Sequence, residues 1–326
     1  MITMKKFFSI FVLAALAAFS ANAQNNTAPV PVAQTSMICD PTKDVVLVGE
    51  WNSGEARSIC HSYAGNIEVV NRVWAPSAQQ ILPLDGAYNF LTYSTSGRVR
   101  WHTPEQTWQW LLPANGRLRN ENRFGFTLTD RWEREKLGLG LWAGGFYTAD
   151  SMPMTNLDYC TMSSANPQDI IVCADSNNKR FTMSRPSDFA GHREELSVNL
   201  DQYPVGTAAI GGKLYLLLAN EFTYPPCNDP VCSPVAPTSV VPGKLVEVSF
   251  DYGQSEVSQK VVLDGINVDP VTNLNRVAAG KDDIYWVAGQ HTIVRYNPST
   301  RGKVKVYYEA GEQTMLAGLA VVPAKQ

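Results

Sequence analysis

Short runs of β-branched, aromatic and aliphatic residues, broken by Gly, Pro, Asn and Asp, fill this chain from Asp44 onward. Leu214 to Ala219, Lys244 to Phe250, Ile284 to Ala288, Thr292 to Tyr296 and Val304 to Tyr308 are the plainest of them. Their length and punctuation predict β-strands, and a long amphipathic helix is hard to find. One kind of run returns, entered each time by a polar or small residue. It begins at Asp44 (D-V-V-L), Ala87 (A-Y-N-F), Asp169 (D-I-I-V), Lys213 (K-L-Y-L) and Asp283 (D-I-Y-W). The spacing is about 40 residues or twice that, with one longer gap.

A fixed period of this size with four strand runs per unit predicts a propeller, each unit one four-stranded blade. The clearest complete unit lies between Asn275 and Ala310: R-V-A-A-G, D-I-Y-W-V-A, T-I-V-R-Y and K-V-K-V-Y-Y. Ala87 to Leu112 repeats its order in N-F-L-T-Y, R-V-R-W and W-Q-W-L-L. A further copy is expected between Phe126 and Trp142, although Leu137 to Trp142 fits the run poorly, and counting it gives six units. Leu316 to Val322 (L-A-G-L-A-V-V) reads as a blade-opening inner strand with no blade after it. It is expected to complete the first blade and close a six-bladed, all-β ring. The expected organisation is a signal segment 1–23, a flexible leader 24–36 and one propeller domain 37–326. A Pro- and Cys-bearing insertion at 221–242 accounts for the long gap.

The N-terminus places the chain in a cell. Lys5 and Lys6, an apolar run from Phe7 to Phe19, and Ala21-Asn22-Ala23 form a secretory signal cleaved after Ala23. Its apolar run is shorter than the roughly 20 residues a spanning helix needs, and no later segment is longer, so no membrane span is expected. A periplasmic or secreted bacterial protein is the simplest reading. The formal charge is −3, and it becomes two units more negative once Lys5 and Lys6 are removed. That balance gives little reason to bind nucleic acid.

Six cysteines, Cys39, Cys60, Cys160, Cys173, Cys227 and Cys232, are an even number for an oxidising compartment. Cys160 and Cys173 flank Asn166 to Asp169 as a cross-strand bridge would. Cys227 and Cys232 could close the tip of the insertion, leaving Cys39 to Cys60. Metal binding is the alternative, but the cysteines are scattered and no C-x-x-C occurs.

An L-D pair travels with the repeat: Leu84-Asp85, Leu157-Asp158, Leu200-Asp201 and Leu263-Asp264. If these aspartates occupy equivalent connections, they make carboxylate candidates for a hard cation such as Ca²⁺. Asp is also a common turn residue entering a strand, and that plainer reading stays open. At this point the chain resembles the six-bladed propeller superfamily of gluconolactonase, senescence-marker, strictosidine-synthase-like and NHL-type proteins, on period and strand rhythm along the mature chain. The lactonase members of that group hold a divalent metal in the channel with a Glu, an Asn and an Asp in E-G-P and D-G contexts. The D-G pairs here are Asp85-Gly86 and Asp264-Gly265, and there is no E-G-P.

Other signatures fail on context. Gly138-x-Gly140-x-x-Ala143 has dinucleotide spacing without a preceding hydrophobic strand or a following helix. His192-Arg193-Glu194-Glu195 lacks the second histidine of a zinc protease, and no G-x-S-x-G is present. Trp101, Trp108 and Trp110 crowd one segment and could stack on a sugar or anchor an interface, or wedge between blade sheets. The function expected is an exported, non-catalytic binding or scaffold module for a protein or small-molecule ligand on one propeller face. The alternative is a Ca²⁺-dependent lactonase or esterase-type hydrolase using the channel carboxylates.

Overall fold

The computed structural model describes residues 39–51, 53–76, 78–85, 87–94, 98–111, 116–121, 126–131, 136–142, 146–153, 159–163, 170–175, 178–184, 195–223, 240–251, 256–271, 276–312 and 314–325; none of these is helical. The first sheet contains β1 (Val45–Glu50), β2 (Glu55–His61) and β3 (Ile67–Trp74). The second holds β4 (Ala78–Asp85), β5 (Asn89–Ser94), β6 (Arg98–His102) and β7 (Thr107–Leu111), and the third β8 (Gly116–Glu121), β9 (Phe126–Arg131), β10 (Lys136–Trp142) and β11 (Phe146–Pro153). The fourth runs through β12 (Tyr159–Ser163), β13 (Ile170–Asp175), β14 (Arg180–Ser184) and β15 (Glu195–Asn199), and the fifth through β16 (Tyr203–Ile210), β17 (Lys213–Ala219), β18 (Val241–Asp251) and β19 (Glu256–Val268). The sixth comprises β20 (Val277–Ala279), β21 (Ile284–Gly289), β22 (Thr292–Tyr296) and β23 (Lys305–Glu309).

Every sheet is four-stranded and ordered as the chain runs, with one exception. β24 (Leu316–Val322) pairs antiparallel with β1, Val45 opposite Val322 and Val48 opposite Leu319, and so becomes the first strand of the first sheet. The first strands neighbour one another in sequence: β24 with β4, β4 with β8, β8 with β12, β12 with β16, β16 with β20, and β20 with β24. Up-and-down four-stranded sheets arranged in this way define a β-propeller.

The recurring run is the second strand of each sheet: β1, β5, β13, β17 and β21. Its continuous hydrophobicity has a plain cause, since alternate side chains on one strand are buried against two different neighbouring sheets. On β21, Ile284 and Trp286 pack on the fifth sheet while Tyr285 and Val287 pack on the first. On β1, Val46 and Val48 meet the sixth sheet while Val45 and Leu47 meet the second. On β17, Tyr215, Leu217 and Ala219 join the cluster with the sixth sheet, and Leu214, Leu216 and Leu218 the cluster with Phe181. A fully buried side chain of this size contributes roughly 1.5–3 kcal/mol, so these central strands carry much of the core. In the third sheet the second strand is β9, and Leu137 to Trp142 falls in the third strand, which explains its poor fit to the run.

Two buried polar anchors hold β24 and the sixth sheet, one at each end of the strand. Asp44, just before β1, accepts hydrogen bonds from the backbone N–H groups of Lys281 (3.0 Å) and Ala324 (2.8 Å) and from the Tyr285 hydroxyl (3.0 Å). Burial, and then the Asp44 charge beside it, push the Tyr285 phenol far above its ordinary pKa, so it stays a donor. Gly280 leaves room for this carboxylate, because a Cβ there would lie 1.8 Å from Asp44 Oδ2. At the other end Arg276, 2% exposed, donates from Nη1 to the carbonyls of Leu316 (2.5 Å) and Ala317 (3.1 Å). Its Nη2 lies 2.6 Å from Asp269 Oδ2, and Asp269 is itself buried.

His102 is a third internal polar group, with no exposed surface. Nε2 faces the Thr92 hydroxyl at 2.9 Å and Nδ1 the Thr107 hydroxyl at 3.0 Å, so the ring ties β5, β6 and β7. Burial, and secondarily the Arg100 charge, push its pKa down to about 3. It is a neutral structural residue at ordinary pH.

The disulfide Cys39–Cys60 joins the residues preceding the first sheet to β2 (Cα–Cα 5.6 Å). Cys160 and Cys173 stand opposite each other in the β12–β13 register. Cys227 and Cys232, the signal segment and the leader lie outside the described residues. No helix among the described residues is long and apolar enough to cross a membrane.

Candidate functional site

Antiparallel order sorts the turns onto two rims. On one rim lie the turns between second and third strands and the connections from one sheet to the next. This connection rim carries Glu50, Ser53, Asp201, Asp269, Arg276, Gln290 and His291, and both ends of the insertion. The insertion separates β17 from β18, and residues 224–239 of it lie outside the described residues. Its start is tied down, with Thr223 bridged to Val271 on the connection between the fifth and sixth sheets.

Three described acidic groups of this rim, Glu50, Asp201 and Asp269, each have a cation beside them. Glu50, with no exposed surface, accepts a hydrogen bond from the Ser53 hydroxyl (2.5 Å). Arg57 Nε lies 2.8 Å from its other oxygen, an ion pair without hydrogen-bond alignment. Asp269 is paired with Arg276. Asp201 pairs with Lys244, and the hydrogen bond from that ammonium holds the Asp201 carboxyl below the usual range. Glu50 and Asp269 are buried beside their cations, while the Asp201–Lys244 pair lies at the surface.

Beside these pairs opens a groove of about 560 Å³ between β19 and the sixth sheet. Ile266, Val294, Val304 and Val306 form its sides, with Trp286 and Ala288 against them. Val240, near the end of the insertion, closes one edge. Asn267, Gln290, His291 and Thr292 supply its polar groups. The β21–β22 turn bearing three of them is fixed from outside: the Gln290 carbonyl accepts from Leu316 N–H (2.7 Å) and the His291 carbonyl from Ala310 N–H (2.8 Å).

The three L-D aspartates among the described residues, Asp85, Asp201 and Asp264, occupy unlike positions rather than equivalent connections. Asp85 ends β4, at the turn into β5 and on the opposite rim. Asp201 precedes β16 on the connection rim. Asp264 lies within β19, an outer strand, directly across from Lys244, and its Oδ1 accepts from the Gly265 N–H (2.9 Å). Asp158 lies outside the described residues. Asp85 and Asp201 follow the use of Asp at turns and strand ends, and Asp264 does not share their place in the blade. Among the described residues no three His, Cys, Asp or Glu side chains come together as a metal site.

Of the tryptophans, Trp101 is half-buried on β6 and donates its indole N–H to Asn89 Oδ1 (2.7 Å). In the register Trp108 lies opposite Trp101 and Trp110 opposite Val99. Trp74, outside the predicted set, is 59% exposed at the end of β3, with the Arg100 guanidinium 4.7 Å from its ring centre. The groove residues also escaped sequence reading. Gly289, Gln290 and His291 read there only as turn residues between two strands.

The class of protein defined by this arrangement is a β-propeller with an apolar inter-sheet groove at its connection rim. No protein-family model and no curated protein matches the chain. Among solved structures it is similar to a functionally unknown protein from Desulfotomaculum acetoxidans, at 13% identity, 88% of each chain and a TM-score of 0.55. Two further structures are virginiamycin B lyase from Staphylococcus aureus (11% identity, 87% of this chain and 90% of that one, TM-score 0.47) and the Pan2 WD40 domain of Neurospora crassa (11%, 86% and 89%, TM-score 0.45). At these identities the likeness is one of fold alone.

Proposed function

We propose that this protein is an exported six-bladed propeller, closed by Leu316–Val322, that acts as a non-catalytic binding or scaffold module in the bacterial envelope. The connection rim and the Glu221–Pro242 insertion form its contact surface. The observation that carries this reading is an open apolar groove on the rim where Glu50, Asp201 and Asp269 are each paired with a cation. Recognition uses apolar surface with a few fixed polar groups, whereas acid–base catalysis needs groups left poised. Export is supported by the Lys5–Ala23 signal pattern and by the Cys39–Cys60 disulfide.

Expression of the full chain in a Gram-negative host tests both parts. The processed protein is expected in the periplasmic or secreted fraction with Gln24 as its first residue. It should turn over none of a panel of lactones and aryl esters, with or without Ca²⁺. Turnover that Asp201→Asn abolishes would replace this reading with a hydrolase.

A further inference from the structure

We propose that the groove between β19 and the sixth sheet binds a small, neutral, amphipathic molecule, with its apolar body along the valine wall and a hydrogen-bonding end at the β21–β22 turn. The proposal rests on the recognition role argued above and gives it a ligand class. The volume, about 560 Å³, lies within the roughly 300–1,000 Å³ typical of small-molecule sites.

The groove is made by breaks in the strand ladders around it. The β21–β22 register shifts between Val287 and Gly289, the β22–β23 register between Ile293 and Val294, and the β18–β19 register at two places near Gly243 and Leu245. Such bulges bend a strand and re-aim its side chains, and they concentrate beside functional sites. Gly289 approaches the Val240 side chain closely, a Cβ there lying in ordinary contact at 3.4 Å, and the two residues close that edge.

The chemistry of the walls selects the ligand. No charged side chain is found among the described lining residues, so an ionic group would lose its hydration with nothing to replace it. Three of the four polar lining residues, Gln290, His291 and Thr292, are consecutive at a turn whose backbone is already held by Leu316 and Ala310, and the fourth, Asn267, is on β19. Of these, the His291 imidazole lines the groove and supplies a ring nitrogen able to hydrogen-bond a ligand.

N-Phenyl-1-naphthylamine, neutral with two aromatic bodies and one N–H, is a suitable probe, titrated by fluorescence into the full chain. Saturable binding of one probe per chain is expected, at least tenfold tighter than its anionic relative 8-anilinonaphthalene-1-sulfonate. Val306, 58% exposed on the groove wall, and Val261, 51% exposed on β19 outside it, give a matched pair. Val306→Glu should weaken the probe at least tenfold and Val261→Glu less than twofold, with melting temperatures unchanged. His291→Phe should weaken it about fivefold, the worth of one neutral hydrogen bond.

Three outcomes overturn the proposal: no saturable binding, as when the chain's own insertion fills the groove; equal losses in the two valine variants; or equal affinity for the anionic probe. Export without turnover combined with any of these removes the groove and leaves the binding-module reading. Turnover combined with intact probe binding does the reverse.

Discussion

Replacing His102 by glutamine should remove a specific part of the protein's acid sensitivity. The native imidazole has a pKa of about 3 because it is buried beside Arg100, against about 6.5 for an unfolded chain. The unfolded state therefore takes up the proton first as pH falls. The stability held in the neutral ring is complete above about pH 6.5 and drains away toward pH 3. Between pH 7.5 and pH 5 the loss works out at roughly 2 kcal/mol, from the two pKa values and 1.36 kcal/mol per unit. It would approach about 5 kcal/mol at the acid limit.

Glutamine can keep the contact to the Thr92 hydroxyl while giving up the one to Thr107, so His102→Gln should cost about 1–2 kcal/mol at pH 7.5. That cost does not titrate. Urea unfolding at pH 7.5 and pH 5 should show the wild type losing about 2 kcal/mol more than the variant over this interval. Carboxylates held low by hydrogen bonds, such as Asp201 and Glu247, lose their contribution at lower pH and are common to both proteins. Parallel losses in the two proteins would refute the account of His102 as a buried neutral ring.

Other expectations follow from the anchors of β24 and from the disulfide. Arg276→Ala leaves Asp269 buried and unpaired and should cost about 3–5 kcal/mol, while Arg276→Met with Asp269→Leu should recover most of it, both read by urea unfolding. Gly280→Ala drives a methyl group into the Asp44 carboxylate and should destabilise by about 2–4 kcal/mol in thermal melts. Tyr285→Phe removes a single donor to Asp44 and should cost less, about 1–3 kcal/mol by the same measurement. Cys39→Ser with Cys60→Ser opens a short loop and should cost about 3 kcal/mol under oxidising conditions, with no difference once the wild type is fully reduced.

The propeller was legible because its second strands are buried on both faces. Asp44, Lys213 and Asp283 each introduce a run with no polar alternation, and that is the physical signature of a strand between two sheets. The copy at Phe126 to Arg131 was harder to see, because F-T-L-T-D-R alternates and the Gly-rich K-L-G-L-G-L-W of β10 drew the eye to the wrong strand. The aspartate phase misled for a related reason: Asp suits any strand end, so regular strand spacing alone imposes a rhythm on it. The internal anchors left no local trace. Asp44 finds Tyr285 and Ala324 across more than 200 residues of sequence, and Arg276 reaches Leu316 and Ala317 from the far side of the sixth sheet. The groove is hidden likewise, since ladder bulges arise from pairing between strands rather than from either strand alone.

The pairing of β1 with β24 also sets a clock. β1 is made early, but its inner partner begins at Leu316, so the first sheet, with its other three strands complete by Trp74, stays three-stranded while about 240 further residues are synthesised. At about 5–20 residues per second that wait lasts roughly 12–48 s. Throughout it, one edge of β1 offers unpaired backbone and the apolar faces of Val46 and Val48 have no sixth sheet to cover them. Such a chain is open to premature pairing with its own copies.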